Sequence, residues 1–63
     1  MTKDTLAKLP DVYKSNIETF KTIYQRTGDK ETRARAGGYI TALRDAGIIT
    51  ETEKRTLLCY VTI

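Results

Sequence analysis

The chain has 63 residues, of which 40% are hydrophobic and 30% charged, and its formal net charge is +3 at pH 7. A chain this short buries only about 60% of the surface that its unfolded form exposes, so we expect one domain, 1–63, with a small core. Cys59 is the single cysteine and histidine is absent, which excludes an internal disulfide and argues against a zinc site.

The first predicted element is a helix over about 10–27. Pro10 suits its first turn, and Gly28 is expected to end it in the left-handed conformation. Residues 4–8 are expected to form a capped turn or a short helix before it. The helix is predicted from apolar residues that share one stripe at helical spacing, namely Leu9, Val12, Tyr13, Ile17, Phe20, Ile23 and Tyr24.

The second predicted helix covers about 30–46, with Asp29 as its N-cap. Tyr39, Ile40 and Leu43 form its apolar patch together with Ala36. Beside this patch runs a small-residue row with a spacing of four, which consists of Ala34, Gly38, Ala42 and Ala46.

Two adjacent glycines, Gly37 and Gly38, lie in the middle of this second helix. Each glycine is about 1 kcal/mol less favourable there than alanine, so a compensating feature is expected. One explanation is close approach of another helix of the same chain. The alternative is that the glycines interrupt the helix and leave residues 29–36 as a separate turn. We favour the continuous helix.

A third helix is predicted over about 51–60. Gly47 and the apolar residues after it are typical of a Schellman stop, and Thr50 with Glu53 forms a capping box. The fold class is therefore all-α, a compact three-helix bundle.

Cys59 follows two leucines and is expected to be a small buried hydrophobe. The apolar end, 61–63, is expected to pack on the first helix or on a partner.

The sequence favours a protein that is not an enzyme. Without histidine the usual general base is missing, and neither Cys59 nor Ser15 has an activating neighbour in the sequence. The glycine pair lacks the lysine of a phosphate-binding loop. We expect no cofactor, no metal and no small-molecule substrate. No apolar run approaches a membrane span and no signal-peptide pattern is present, so a cytoplasmic location and no membrane partner are expected.

Protein–protein association is the first functional hypothesis, with a homodimer or another protein as the partner. The small core, the small-residue row and the apolar end all favour it. The predicted interface residues are Ala34, Gly38, Ala42, Tyr39, Val61 and Ile63. The alternative is that other helices of the same chain already cover the small-residue row.

Nucleic-acid binding is the second hypothesis. Its predicted contacts are basic residues on and near the polar face of the second helix, namely Arg26, Lys30, Arg33 and Arg44. Three or four such cations hold phosphates non-specifically at low salt. A helix-turn-helix reading is disfavoured, because Glu51 and Glu53 at the start of the third helix would face the phosphates.

Residues 43–58 contain the turn Gly-Ile-Ile-Thr-Glu-x-Glu. This segment resembles the compact helical hairpins of many short bacterial proteins. In particular it is similar to a short C-terminal oligomerisation motif that ends in a Gly-hydrophobic-Ile-Thr-x-x-Glu turn. The segment 39–51 also resembles small helical proteins of gut Firmicutes and of their mobile elements. The first resemblance implies oligomerisation, and neither implies an activity.

Overall fold

The computed structural model describes residues 2–62, and the side chains of residues 4–62. Within this range every regular element is a helix, which confirms the predicted all-α class. The helices are α1 (Thr2–Lys8), α2 (Asp11–Thr27), α3 (Lys30–Asp45) and α4 (Glu51–Thr62). The predicted N-terminal turn is therefore a helix of seven residues, and α3 runs through Gly37 and Gly38 without interruption.

The α2–α3 junction is made by Gly28 and Asp29. Gly28 adopts a φ of 62° and its N–H donates to the Tyr24 carbonyl at 2.8 Å, which closes α2. The Asp29 carboxylate accepts from the Glu31 N–H at 3.0 Å and caps α3. Because the residue that ends α2 and the residue that caps α3 are consecutive, the two helices are joined by a tight turn.

The α3–α4 junction combines a Schellman motif with a capping box, as the sequence predicts. Gly47 has a φ of 78°, and the Ile48 N–H donates to the Leu43 carbonyl at 2.9 Å. Thr50 and Glu53 then exchange two hydrogen bonds. The Thr50 N–H donates to Glu53 Oε1 at 2.9 Å and the Glu53 N–H donates to Thr50 Oγ1 at 3.1 Å.

The core lies where α2, α3 and α4 meet, and α1 covers one side of α4. Every described helix contributes to it. The buried apolar residues are Leu6, Leu9, Ile17, Ala36, Ile40, Leu43, Ile49, Leu57 and Val61. The Cα radius of gyration is 10.7 Å, close to the value expected for a compact chain of this length.

Part of the predicted apolar stripe of α2 is exposed. Val12 is 61% exposed and Ile23 is 40% exposed, while Ile17 is fully buried. At 100° per residue these two lie side by side at one edge of the stripe, and the neighbouring helices leave that edge exposed.

The last helix extends to Thr62, two residues further than predicted. Val61 lies in the core, and the Lys21 ammonium of α2 lies 3.8 Å from the centre of the Tyr60 ring. The apolar end therefore packs on its own chain as far as Thr62. None of the described helices is long and apolar enough to cross a membrane.

Candidate functional site

The small-residue row lies on the outer face of α3. Its members, Ala34, Gly38, Ala42 and Ala46, are all exposed. A Cβ added at Gly38 would have no heavy atom of another described element within 4 Å. The explanation that another helix of the same chain approaches Gly38 closely is therefore wrong.

Gly37 faces a different direction from Gly38. A Cβ at Gly37 would lie 3.8 Å from Leu58 Cδ2, an ordinary van der Waals distance. Both glycines lie within α3 and lack a positive φ. Neither the backbone conformation nor the packing of the described residues requires them, so about 1 kcal/mol of helix propensity at each remains uncompensated inside the chain.

The other predicted interface residues are divided by the structure. Tyr39 is half-buried; its ring lies 5.6 Å from that of Phe20, and its hydroxyl accepts a hydrogen bond from Asn16 Nδ2 at 2.9 Å. Val61 is completely buried, because α4 continues through it and turns it inward, so it is a core residue of its own chain. Ile63 lies outside the described residues.

A groove lies beside the small-residue row, between the first half of α3 and the second half of α4. Its volume is about 400 Å³. We call it the α3–α4 groove. Most of its wall is apolar or small, and two cations belong to it. The lining residues are Lys30, Arg33, Ala34, Ala36, Gly37, Leu58, Cys59, Val61 and Thr62.

The four predicted nucleic-acid contacts do not have equal surroundings. Arg44 is engaged by two carboxylates, with Nη2 lying 2.8 Å from Asp45 Oδ1 and Nη1 paired with Glu51. Among the described residues, the side chains of Arg26, Lys30 and Arg33 make no ion pair or hydrogen bond. The structure thus leaves three of the four cations free to meet an anion.

The carboxylate that engages Arg44 is held ionised. Hydrogen bonds from Arg44 and Lys54 lower the pKa of Glu51 to about 2, and they favour the charged form because both partners are cations. The same bond, together with that to Asp45, raises the pKa of Arg44. This cluster ties the end of α3 to the start of α4.

Cys59 is exposed and lines the α3–α4 groove. The expectation that it is buried is wrong, because α4 turns Leu57 and Val61 inward and leaves Cys59 on the outer side. Within residues 2–62 no three His, Cys, Asp or Glu side chains are grouped so that they could hold a metal ion.

Sequence reasoning missed the α3–α4 groove. Lys30, Arg33 and Gly37 are spaced by three and four, so a helical wheel places them on one side of α3. That signal was present in the sequence. The position of α4 beside this side of α3 was not, because it depends on how the helices pack.

Comparisons with known proteins identify no relative. No protein-family model, no curated protein and no solved structure matches this chain.

Proposed function

We propose that this protein is a non-enzymatic helical interaction module that self-associates through the outer face of α3. In this proposal α2, α3 and α4 form a three-helix bundle, α1 is an addition to it, and the small-residue row is the interface. The observation that carries the proposal is the open space around Gly38, at the centre of an exposed row of small residues. Rows of this kind allow two helix backbones to come close together.

A second copy of the chain is the partner that the row fits best. Ala34 and Ala42 lie four residues before and after Gly38, so the first three members of the row are arranged symmetrically about Gly38. In such a dimer two α3 helices cross antiparallel, and a twofold axis passes between the two Gly38 residues. This arrangement places Ala34 of each copy against Ala42 of the other. Such an isologous contact is self-complementary. The antiparallel helix dipoles add a small favourable term.

Two further features support the proposal. The uncompensated helix propensity at Gly38 has a reason if another backbone lies against it. Residues 43–58 resemble an oligomerisation motif.

Sedimentation velocity at micromolar concentration tests this proposal with two variants. The wild type is expected to sediment as a dimer. Gly38→Leu is expected to sediment as a monomer, because its side chain blocks the crossing. Circular dichroism should show that this variant remains helical, since the added side chain meets open space within its own chain and leucine is the better helix former.

The matched control is Thr22→Leu, which adds the same side chain to an exposed position of α2. It is expected to remain a dimer. A wild-type chain that is monomeric at all concentrations tested contradicts the proposal.

Non-specific nucleic-acid binding is a second candidate function, favoured by the three unpaired cations Arg26, Lys30 and Arg33. A gel-shift titration of a random duplex tests it. With three phosphate contacts, raising the salt from about 50 to about 200 mM should weaken binding about 40-fold. Replacing all three cations by glutamine should abolish the shift, whereas Lys14→Gln on α2 should not. Absence of binding at the lower salt eliminates this candidate.

A further inference from the structure

The α3–α4 groove combines apolar walls with charge at one end. Ala36 and Val61 form buried parts of its lining, and Leu58 and Gly37 are half-buried beside them. Lys30 is the first residue of α3, and Arg33 follows one turn later. The cations therefore lie towards the end of the groove that the start of α3 forms.

We propose that this groove binds an anionic amphiphile, a small molecule with one carboxylate or phosphate head group and an unbranched apolar tail. The tail lies along the apolar wall, and the head group meets Lys30 and Arg33. This inference does not rest on self-association.

The size and the lining of the groove account for the tail. Small-molecule sites in proteins typically have volumes of about 300–1,000 Å³ and are lined mainly by apolar groups with a few polar ones. The α3–α4 groove, at about 400 Å³, lies at the lower end of that range. Gly37 and Ala34 keep the α3 side of the groove open, because neither carries a side chain that would fill it.

The charge of the groove accounts for the head group. Among the described residues, its lining includes two cations and no carboxylate. Five other cations are paired with glutamates, namely Lys8, Arg35, Arg44, Lys54 and Arg55. The Lys30 and Arg33 side chains are not paired within the described chain. Glu31 is directed to Arg35 and Asp29 caps the helix, so neither neutralises the groove. The positive end of the α3 dipole adds to the attraction for an anion.

The chain contains its own reporter for this site. Cys59 is the single cysteine of the sequence, it is exposed, and it lines the groove. Its alkylation by the neutral reagent iodoacetamide can therefore be followed by mass spectrometry without labelling any other thiol. A ligand in the groove should slow this reaction.

The experiment compares four probes that each contain an unbranched ten-carbon chain, each kept below the concentration at which it forms micelles. Decanoate and decyl phosphate are the two anionic probes, and the more protective of the two identifies the head group. Decanol and decyltrimethylammonium are the neutral and cationic controls. At saturation an anionic probe is expected to slow alkylation at least about fivefold, and the two controls much less.

Four variants assign the effect to the groove. Lys30→Gln with Arg33→Gln should raise the concentration of anionic probe needed for protection by about two- to 30-fold, because exposed charge contacts are worth about 1.4- to fivefold each. Lys14→Gln, which removes a cation of α2 outside the groove lining, should leave this concentration unchanged. Gly37→Leu should abolish protection by filling the groove, and its Cβ meets Leu58 only at an ordinary contact distance. Gly38→Leu, the neighbouring glycine outside the lining, should leave the groove open.

Three results would each overturn the inference. They are equal alkylation rates with and without the anionic probes, equal protection by decanol, and protection that persists in Gly37→Leu. Circular dichroism of each variant establishes that it is folded. Because Gly38→Leu breaks the proposed dimer and Gly37→Leu closes the groove, failure of one proposal is distinguishable from failure of the other.

Discussion

Arg44 in the last turn of α3 and Glu51, the first residue of α4, are joined by an ion pair across the turn that separates the two helices. Asp45 holds the other side of the same guanidinium, and Lys54 and Arg55 reach Glu51 from the next turn of α4. Glu51 thus links the end of one helix to the start of the next. The predictions below begin with this link.

Acid should weaken the fold through Glu51. Its pKa is about 2 in the folded chain, against 4.5 for an unperturbed carboxyl. A depressed pKa means that the folded state holds the charged form more tightly, so the stabilisation is present above about pH 4.5 and is lost as the pH falls towards 2. Thermal melting between pH 6 and pH 2 should show a smaller decline in Glu51→Gln than in the wild type. If the melting temperatures of the two proteins fall equally as the pH is lowered, this role of Glu51 is contradicted.

Alkali should weaken the fold through Tyr60. Its hydroxyl donates to Glu18 Oε1 at 2.6 Å, and this bond raises the pKa of Tyr60 to about 12. A raised pKa stabilises the fold fully below pH 10, and the stabilisation is lost as the pH rises towards 12. Melting of the wild type and of Tyr60→Phe should therefore converge above pH 10. The phenylalanine ring retains the contact with Lys21, which makes it the matched control for the hydroxyl. A difference in melting temperature between the two proteins that does not change with pH would argue against the hydrogen bond from Tyr60 to Glu18.

Truncation of the core should unfold much of the population at physiological temperature. Ile40 is completely buried between the helices, and removing such a side chain typically costs about 2–5 kcal/mol. A domain of this length has only a few kcal/mol of stability to lose. Urea titration of Ile40→Ala should show the loss. The exposed Ile23→Ala provides the control and should change the midpoint little.

Two glycines should respond to alanine with opposite signs. Gly37→Ala is expected to stabilise the chain by about 0.5–1 kcal/mol, because Gly37 has a helical backbone and its Cβ finds room beside Leu58. Gly47→Ala is expected to destabilise it by about 1 kcal/mol or more, because Gly47 holds a φ of 78° that L-residues rarely adopt. Thermal melting distinguishes the two, and shifts of equal sign would contradict the assignment.

The helix caps and the turns between helices were the features of this protein that could be predicted most completely. The Gly28 stop, the Asp29 cap, the Gly47 Schellman motif and the Thr50–Glu53 box each involve residues within five positions of one another. Their hydrogen bonds therefore depend on neighbouring residues alone. The predicted bounds of the helices agree with the structure to within one or two residues. The all-α class follows from these helices.

Which face of each helix is covered was predicted less well. Periodicity placed Val12 and Ile23 on the same apolar stripe as Ile17, and the two leucines before Cys59 suggested that it is buried, yet all three are exposed. A helical wheel shows which residues share a side, but it does not show how wide a strip the neighbouring helices cover. The candidate site met the same difficulty, because the sequence shows which residues share a side of α3 with Gly37 or with Gly38, but not which of these sides α4 borders.

The amino-acid sequence by itself determined where the helices of this chain begin and end, since those signals are local hydrogen bonds and backbone conformations. Only the tertiary structure decided that Gly38 faces open space, that Gly37 borders a groove, and that Val61 is internal. Those facts depend on the position of α4 relative to α3. That position results from the joint packing of residues that are far apart in the chain.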